Sequence, residues 1–308
     1  MPHDLQRARL SLLGLSLGDA LGSQFFVPGN RLHLTSRSLP PAPWQWTDDT
    51  EMACSVYLTL AIHQAIDQHA LAASFAKRHD FDRGYGPATN RMLRLVREGG
   101  DWRVLAAGLF NGSGSWGNGG AMRVAPLGAY FAGDPAEAAR QAALSATVTH
   151  THPEAIAGAV AVSVAAAYAA SGLRSPGPFI DQVLEHVPPG KVRDGITAAR
   201  RMLTVSDPET AGYFLGNGRE VAAHDTVPFT IWAAARHLGD YEQAVWTAAA
   251  AGGDIDTTCA IVGGITAAGL EPARLPDKWL RSAEPLPDWI SSAPPPHDQQ
   301  VARRRQFD

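Results

Sequence analysis

Two short stretches of this sequence combine paired aspartates with threonines. TDDT, residues 47–50, and GGDIDTT, residues 252–258, each precede an apolar run that has helical spacing. An aspartate at a helix N-terminus is often a cap, and one carboxylate is enough for that purpose. A second carboxylate beside it raises the mutual repulsion unless a cation offsets it. Two such stretches in one chain favour a cation site over capping alone.

If the two stretches converge, they supply four carboxylates together with threonine hydroxyls. This set suits two divalent ions in the arrangement that activates water and stabilises leaving oxygens. Oxygen ligands favour Mg²⁺ or Mn²⁺ over zinc, and the sequence has no Cys/His set at zinc spacing. The ligand alternation of a calcium-binding loop is also missing from the sequence. The sequence therefore predicts two Mg²⁺ or Mn²⁺ ions as cofactors.

A third stretch, FNGSGSWGNGG at residues 110–120, is rich in glycine. Glycines let the backbone approach a ligand, and successive N–H groups can form a concavity for phosphate oxygens. The stretch lacks the Gly-Lys-Ser/Thr of a Walker loop, and no strand pattern precedes it, as a dinucleotide-binding fingerprint would require. Phe110 and Trp116 offer faces on which a base could stack. The alternative is a glycine-rich turn with core aromatic residues.

Helices must position these stretches, because helical spacing dominates the sequence and strand patterns are nearly absent. The alanine-rich segments at residues 153–170, 226–238 and 241–251 predict buried helices. Near the N-terminus, Gly14, Gly18 and Gly22 form a stripe that lets another helix come close inside a soluble bundle. We expect an all-α fold, a compact single-domain orthogonal bundle of many helices.

We expect one catalytic domain over residues 1–290 and a weakly ordered tail over residues 291–308. Residues 23–45 contain prolines without periodicity, which predicts a flexible lid or excursion. Cys54 and Cys259 both lie in apolar helical stretches, which argues against a disulfide framework and favours a reducing compartment.

The bulk composition excludes several classes of partner. The net charge is −4, and the only Lys/Arg block is at residues 303–305, so no nucleic-acid partner is expected. No secretory signal and no uninterrupted apolar stretch of about eighteen residues occurs, so we expect no membrane partner. The sequence therefore predicts a cytoplasmic protein, expected to be a monomer, that acts on a small-molecule or protein-attached ligand.

Together these stretches resemble the ADP-ribosylglycohydrolase family. Six segments occur in the family's order between about residue 10 and about residue 285: GLSLGDALGS, WTDDT, RGYG, FNGSGSWGNGGAMRVAPLG, SATVTHTHPEAIAG and GGDIDTT. The resemblance implies a binuclear-metal hydrolase that cleaves at C1″ of the distal ribose of ADP-ribose conjugates, either ADP-ribosylated protein side chains or O-linked ADP-ribose. The glycine-rich segment looks most like the branch that removes ADP-ribose from serine.

The resemblance also implies roles for individual residues. The implied metal ligands are Thr47, Asp48, Asp49, Asp254, Asp256 and Thr257. The implied contacts to ADP-ribose are Phe110, Gly112, Gly114, Ser115, Trp116, Asn118 and His150, with His152 as an alternative to His150 by register. Asp256 or Asp49 would hold or deprotonate the attacking water. Asp19 is expected to cap and orient, and Arg123 to form either a structural ion pair or a ligand contact.

One position departs from the serine-linked branch. Members of that branch usually carry a lid glutamate four residues after GDALG, where this chain has Phe26, and residues 23–34 contain no acid at all. Arginine-linked ADP-ribose or ADP-ribose-1″-phosphate would need less help from a lid acid. The alternative functions are an ADP-ribose-1″-phosphate phosphatase and a non-catalytic ADP-ribose-binding protein.

Overall fold

The structure, a computed structural model, describes residues 4–292, without the side chains of residues 291 and 292. Within this range the chain forms sixteen α-helices and six short 3₁₀ helices, with no strand. Two isolated β-bridges join Trp44 to Ala283 and Gly117 to Ala222. The predicted all-α fold is confirmed.

The α-helices, numbered in chain order, are α1 Leu5–Ser23, α2 Arg31–Ser36, α3 Asp48–His63, α4 Gln68–Arg78, α5 Pro87–Arg97, α6 Trp102–Gly108, α7 Ala125–Tyr130, α8 Pro135–Thr147, α9 Pro153–Ala170, α10 Pro176–His186, α11 Lys191–Arg201, α12 Pro208–Leu215, α13 Ala223–Arg236, α14 Tyr241–Ala250, α15 Ile255–Ala268 and α16 Asp277–Ser282. The 3₁₀ helices are Gln24–Phe26, Pro28–Asn30, Phe81–Arg83, Asn118–Gly120, Pro272–Arg274 and Asp288–Ser292.

Helix α1 packs along α15 through the predicted glycine stripe. A Cβ at Gly18 would overlap the carbonyl oxygen of Cys259, and a Cβ at Gly22 would lie 2.7 Å from Cα of Asp256. Side chains do not tolerate such distances, so only glycine lets the two backbones approach this closely. The contact at Gly22 holds the first turn of α15 against α1, which also carries Asp19.

Helix α9 is the predicted alanine-rich core helix, and its bounds match the sequence pattern. It is long and apolar enough to cross a membrane by length and composition, yet 78% of it is buried inside the protein. Among the residues that the structure describes, the only further candidate is a pair of segments, residues 5–26 and 28–36, that are bent by 103° relative to each other. A mostly buried apolar helix is typical of a protein core. Cys54 and Cys259 are also buried in this core, and both are free thiols.

Residues 23–45 contain short helices that the sequence pattern did not predict. Phe25 anchors the start of this segment, because its ring packs 5.9 Å from that of Trp246. Trp44 anchors the end, where it is fully buried 6.3 Å from the ring of Trp279. Between these anchors, Phe26 is 52% exposed. The mobility of this lid and the domain boundary at residue 290 remain predictions, and the predicted tail beyond residue 292 lies outside the described residues.

Candidate active site

Asp19, on α1, caps the N-terminus of α3. Its carboxylate accepts hydrogen bonds from the backbone N–H groups of Thr47 and Thr50, at 2.9 and 3.1 Å, and from their hydroxyls, at 2.8 and 2.6 Å. These bonds satisfy N–H groups at the first turn of α3 that would otherwise have no partner. Asp19 therefore does the capping, as predicted, and Asp48 and Asp49 are not needed as caps.

The N-terminus of α15 meets that of α3. The hydroxyl of Thr257 donates to Oδ2 of Asp49 at 3.4 Å, which links the two aspartate stretches across 208 residues of sequence. Asp256 accepts from the backbone N–H of Thr257 at 2.8 Å, and Asp254 accepts from the side-chain amide of Asn118 at 2.7 Å. The structure thus brings the two stretches together and ties them to the glycine-rich segment.

The carboxylates converge closely enough to share a cation. Oxygen atoms of Asp19, Asp49 and Asp256 lie within 4.8 Å of one another, and Asp48 and Asp254 line the adjoining cavity. Oδ1 of Asp49 is buried and has no hydrogen-bond partner among the residues that the structure describes. A buried carboxylate oxygen without a partner is costly, and a divalent ion would satisfy it. The residues present therefore fit an oxygen-ligated metal site.

The carboxylates of the cluster repel one another because they carry the same charge. Burial raises the pKa of Asp19 to about 6. Burial and then the charge of Asp19 raise the pKa of Asp48 to about 8 and that of Asp49 well above its usual range. Burial and then the charge of Asp254 raise the pKa of Asp256 well above its usual range. In each case burial disfavours the ionised form, and a bound cation would favour it.

A cavity of about 500 Å³ opens beside the cluster. Its volume is in the range of sites that hold a small organic ligand. Phe110 and Trp116 line it with their rings 4.8 Å apart, and both are partly exposed. Ser115, Asn118 and His150 line it as well. The cavity therefore combines a candidate metal cluster with aromatic faces on which a base can stack.

The family comparison agrees with this geometry. The family model for ADP-ribosylglycohydrolases matches residues 1–305. The chain belongs to the ADP-ribosylglycohydrolase family. This confirms the resemblance carried by the six sequence segments and identifies the chain as a glycohydrolase-type enzyme.

Several known proteins are similar to most of the chain. ADP-ribosylhydrolase ARH3 from Homo sapiens is 29% identical over 92% of this chain and 90% of its own length. An uncharacterized protein of Archaeoglobus fulgidus is 31% identical over 89% of this chain and 90% of its own length. A solved structure described as an ADP-ribosylglycohydrolase-related protein complex is similar with a TM-score of 0.64 at 26% identity, covering 94% of this chain and 96% of the solved chain.

Not every residue implied by the family resemblance faces the cavity. Thr47 does not line it, and its hydroxyl oxygen lies 2.8 Å from Oδ1 of Asp19 and 3.2 Å from Oδ2 of Asp49. Gly112 and Gly114 do not line it either. Both glycines have left-handed backbones, with φ of 86° and 73°. A Cβ at Gly114 would also overlap Oγ1 of Thr151, so these two glycines shape the loop behind the cavity.

The two histidines of the family's THTHP segment have different environments. His150 is buried and lines the cavity, and burial together with the charge of Arg123 lowers its pKa to about 3. His152 precedes α9, where its Nδ1 accepts from the backbone N–H of Glu154 at 3.1 Å. The structure therefore places His150 at the cavity and His152 at a helix N-terminus.

Arg123 forms neither of the two contacts that the sequence allowed. It is fully buried, forms no salt bridge within residues 4–292, and does not line the cavity. Instead it donates to the carbonyls of Gly119 and Ser145, at 3.1 and 2.7 Å, and to the hydroxyl of Thr149, at 2.9 Å. Arg123 therefore joins the glycine-rich segment, at Gly119, to the end of α8 and the residues that follow it, at Ser145 and Thr149.

One wall of the cavity lies outside the site predicted from the sequence. This wall includes residues of the RGYG segment and the start of α5, and it includes Glu220 and Val221. RGYG is one of the six family segments, but the resemblance implies no site role for its residues. Its Tyr85 donates to Glu51 at 2.6 Å, and its Arg83 pairs with Glu284 at 2.8 Å. No pattern in the sequence marks Glu220 or Val221.

Proposed function

We propose that this chain is a binuclear-metal-dependent hydrolase that cleaves the bond at C1″ of the distal ribose in ADP-ribose conjugates. The observation that carries the proposal is the meeting of two aspartate-bearing helix N-termini beside a cavity that also contains a pair of aromatic rings. The proposed substrates are ADP-ribosylated protein side chains and O-linked ADP-ribose. The related human protein is named as an ADP-ribosylhydrolase, which supports this substrate class.

The proposed ligands of two Mg²⁺ or Mn²⁺ ions are the oxygen donors of the two aspartate stretches, namely Thr47, Asp48, Asp49, Asp254, Asp256 and Thr257. The unpartnered Oδ1 of Asp49 and the all-oxygen donor set support this assignment. Asp19 lies in the same cluster, and its capping bonds to Thr47 and Thr50 hold α3 in place. When bound, such ions stabilise developing negative charge on oxygen and lower the pKa of water.

A carboxylate of the protein would accept the proton of the attacking water. A carboxylate oxygen of Asp256 or Asp49 accepts the proton of a water molecule as the water oxygen bonds to C1″. As that bond forms, the bond from C1″ to the leaving group breaks with its electron pair on the leaving atom, and the protonated carboxyl group or solvent water returns a proton to that atom. The products are ADP-ribose and the free side chain or alcohol.

The rest of the cavity would bind and orient the nucleotide. Stacking on Phe110 and Trp116 would hold the adenine, and the rings are already close together. Ser115, Asn118 and His150 offer polar groups along the same wall. Holding the adenosine half in place positions C1″ beside the carboxylates. The lid provides no acid between residues 23 and 34, so the proposed substrates include those whose leaving group needs little protonation.

A panel of substrates tests the proposal. Arginine-linked ADP-ribose, serine-linked ADP-ribose and ADP-ribose-1″-phosphate are each incubated with the protein and Mg²⁺, Mn²⁺ or a chelator. We expect turnover of at least one substrate with a metal, none with chelator, and none with Asp256→Asn. An unchanged rate with Asp256→Asn, or no turnover of any substrate, contradicts the proposal. Tight binding of ADP-ribose without any turnover would instead indicate a binding protein.

A further inference from the structure

A chain of hydrogen bonds runs from Arg123 through Thr149 to His150. Nη1 of Arg123 donates to Oγ1 of Thr149 at 2.9 Å, and Oγ1 lies 2.7 Å from Nδ1 of His150. All three side chains are buried, with exposed fractions of 0, 1 and 5%. Because these side chains are shielded from water, each donor and acceptor among them needs a partner within the protein.

The direction of the chain follows from what each group can do. A guanidinium only donates, so Oγ1 of Thr149 accepts from Arg123. The single hydroxyl proton of Thr149 then needs an acceptor, and among the described residues only Nδ1 of His150 is in reach. If Nδ1 carried the proton, the buried hydroxyl would have no acceptor, which costs about 1–3 kcal/mol. Thr149 therefore donates to Nδ1, and Nδ1 is unprotonated.

The other ring nitrogen lies beside two glycines that line the cavity. Nε2 of His150 forms no hydrogen bond with residues 4–292, and His150 lines the cavity. A Cβ at Gly117 would lie 3.2 Å from Nε2, and a Cβ at Gly119 would lie 3.0 Å from it. Side chains at these two positions would crowd the ring, so the glycines keep the approach to Nε2 free.

We propose that Arg123 and Thr149 are positioning residues that fix His150 as a neutral imidazole with its proton on Nε2, so that it donates a hydrogen bond to an acceptor oxygen of the ligand's adenosine diphosphate half. The proposal deepens, and rests on, the proposed function, because that function supplies the ligand. A neutral donor of this kind recognises a phosphate or ribose oxygen without adding a charge that titrates near neutral pH.

The surrounding charge supports a neutral ring. Burial and the nearby guanidinium lower the pKa of His150 to about 3. Arg123 itself has no carboxylate partner in the described part of the chain, so its positive charge is not offset by a salt bridge. A second positive charge on His150 would be repelled, and an anionic diphosphate nearby would be attracted.

Nitrogen-15 NMR of the ring tests the tautomer directly. In the ligand-free wild-type protein we expect one neutral form at pH 7, with the proton on Nε2 and none on Nδ1. Thr149→Ser keeps the hydroxyl and should keep that form. Thr149→Val has a similar shape but no hydroxyl, and it should lose the single tautomer. A wild-type ring that is protonated on Nδ1, or on both nitrogens, overturns the proposal without any variant.

Binding of ADP-ribose, measured by calorimetry, tests the consequence. Thr149→Val should weaken binding about 10-fold, the equivalent of one hydrogen bond, while Thr149→Ser binds like the wild type. Wild-type affinity together with the wild-type tautomer in Thr149→Val contradicts the positioning role. Because the spectrum needs no ligand and calorimetry needs no turnover, failure of the proposed hydrolysis would be distinguishable from failure of this inference.

Discussion

Replacing Asp49 with asparagine should stabilise the metal-free protein and abolish its stabilisation by metal. Asp49 is buried in the cluster, and its Oδ1 has no partner within the described residues. An unsatisfied buried polar group costs about 1–3 kcal/mol, and more when it is charged. Asparagine keeps an oxygen that can accept from Thr47 and Thr257 but removes the charge that opposes Asp19 and Asp256.

The pH dependence has a definite sign. A folded-state pKa raised from 3.8 to about 6, as for Asp19, represents about 3 kcal/mol of stability. This stability is fully present below the unfolded pKa and is lost as the pH rises through about 6, and for Asp48 as it rises through about 8. With chelator, the wild type should therefore be less stable at pH 8 than at pH 5, and the benefit of Asp49→Asn should be largest at pH 8.

Thermal unfolding with chelator, and with Mg²⁺ or Mn²⁺, measures both effects. At pH 8 with chelator we expect Asp49→Asn to unfold at a temperature several degrees above the wild type, since each kcal/mol shifts the midpoint by roughly 2 °C in a chain of this size. A metal at 100 times its dissociation constant should stabilise only the wild type, by about 2.7 kcal/mol. Glu98→Gln, at an exposed surface pair, is the matched control and should change little. Equal stabilisation of Asp49→Asn and wild type by metal would show that Asp49 does not hold the ion.

Two further substitutions test the helix packing and the ligand-binding wall. Gly18→Ala should lower the free energy of unfolding in urea by about 3 kcal/mol, because its Cβ would overlap the backbone of α15. Gly29→Ala is the control and should be nearly neutral, since a Cβ there meets open space; equal effects of the two substitutions would contradict close packing of α1 on α15. Trp116→Ala should weaken ADP-ribose binding about 10-fold in calorimetry, because it removes a stacking face. Leu280 is similarly exposed but does not line the cavity, so Leu280→Ala should leave binding unchanged. Unchanged binding by Trp116→Ala would exclude stacking on that ring.

The sequence predicted the parts of the site that carry a local pattern. Paired acids before a helical run mark the starts of α3 and α15, and the glycine stripe of α1 marks a close helix contact. Each of these signals depends on neighbours within a few residues, where helical periodicity and capping chemistry act. Helix α9 shows the same, because its bounds follow from alanine periodicity and a proline at its first position.

The features of the site that the sequence did not predict depend on contacts between segments that are distant in the chain. Val221 reaches the cavity because its carbonyl accepts from the backbone N–H of Asn118, 103 residues earlier in the chain, and no local pattern encodes that pairing. The partner of the charged Arg123 could not be predicted from the sequence. In the structure its guanidinium donates to two carbonyls and a hydroxyl, and not to a carboxylate. Gly114, which the family resemblance implies as a ligand contact, also has a left-handed backbone and lies close to Thr151, and both features require glycine for folding.

The position of the broken bond distinguishes hydrolysis at C1″ from hydrolysis at phosphorus. ADP-ribose-1″-phosphate is hydrolysed in water enriched in oxygen-18, with Mg²⁺ or Mn²⁺, and the released phosphate is analysed by mass spectrometry. Attack of water at C1″ leaves the original oxygen on the phosphate, so we expect unlabelled phosphate from the wild type and no phosphate release with Asp256→Asn. Phosphate carrying one oxygen-18 atom would show attack at phosphorus, and it would contradict a C1″ hydrolase in favour of a phosphatase.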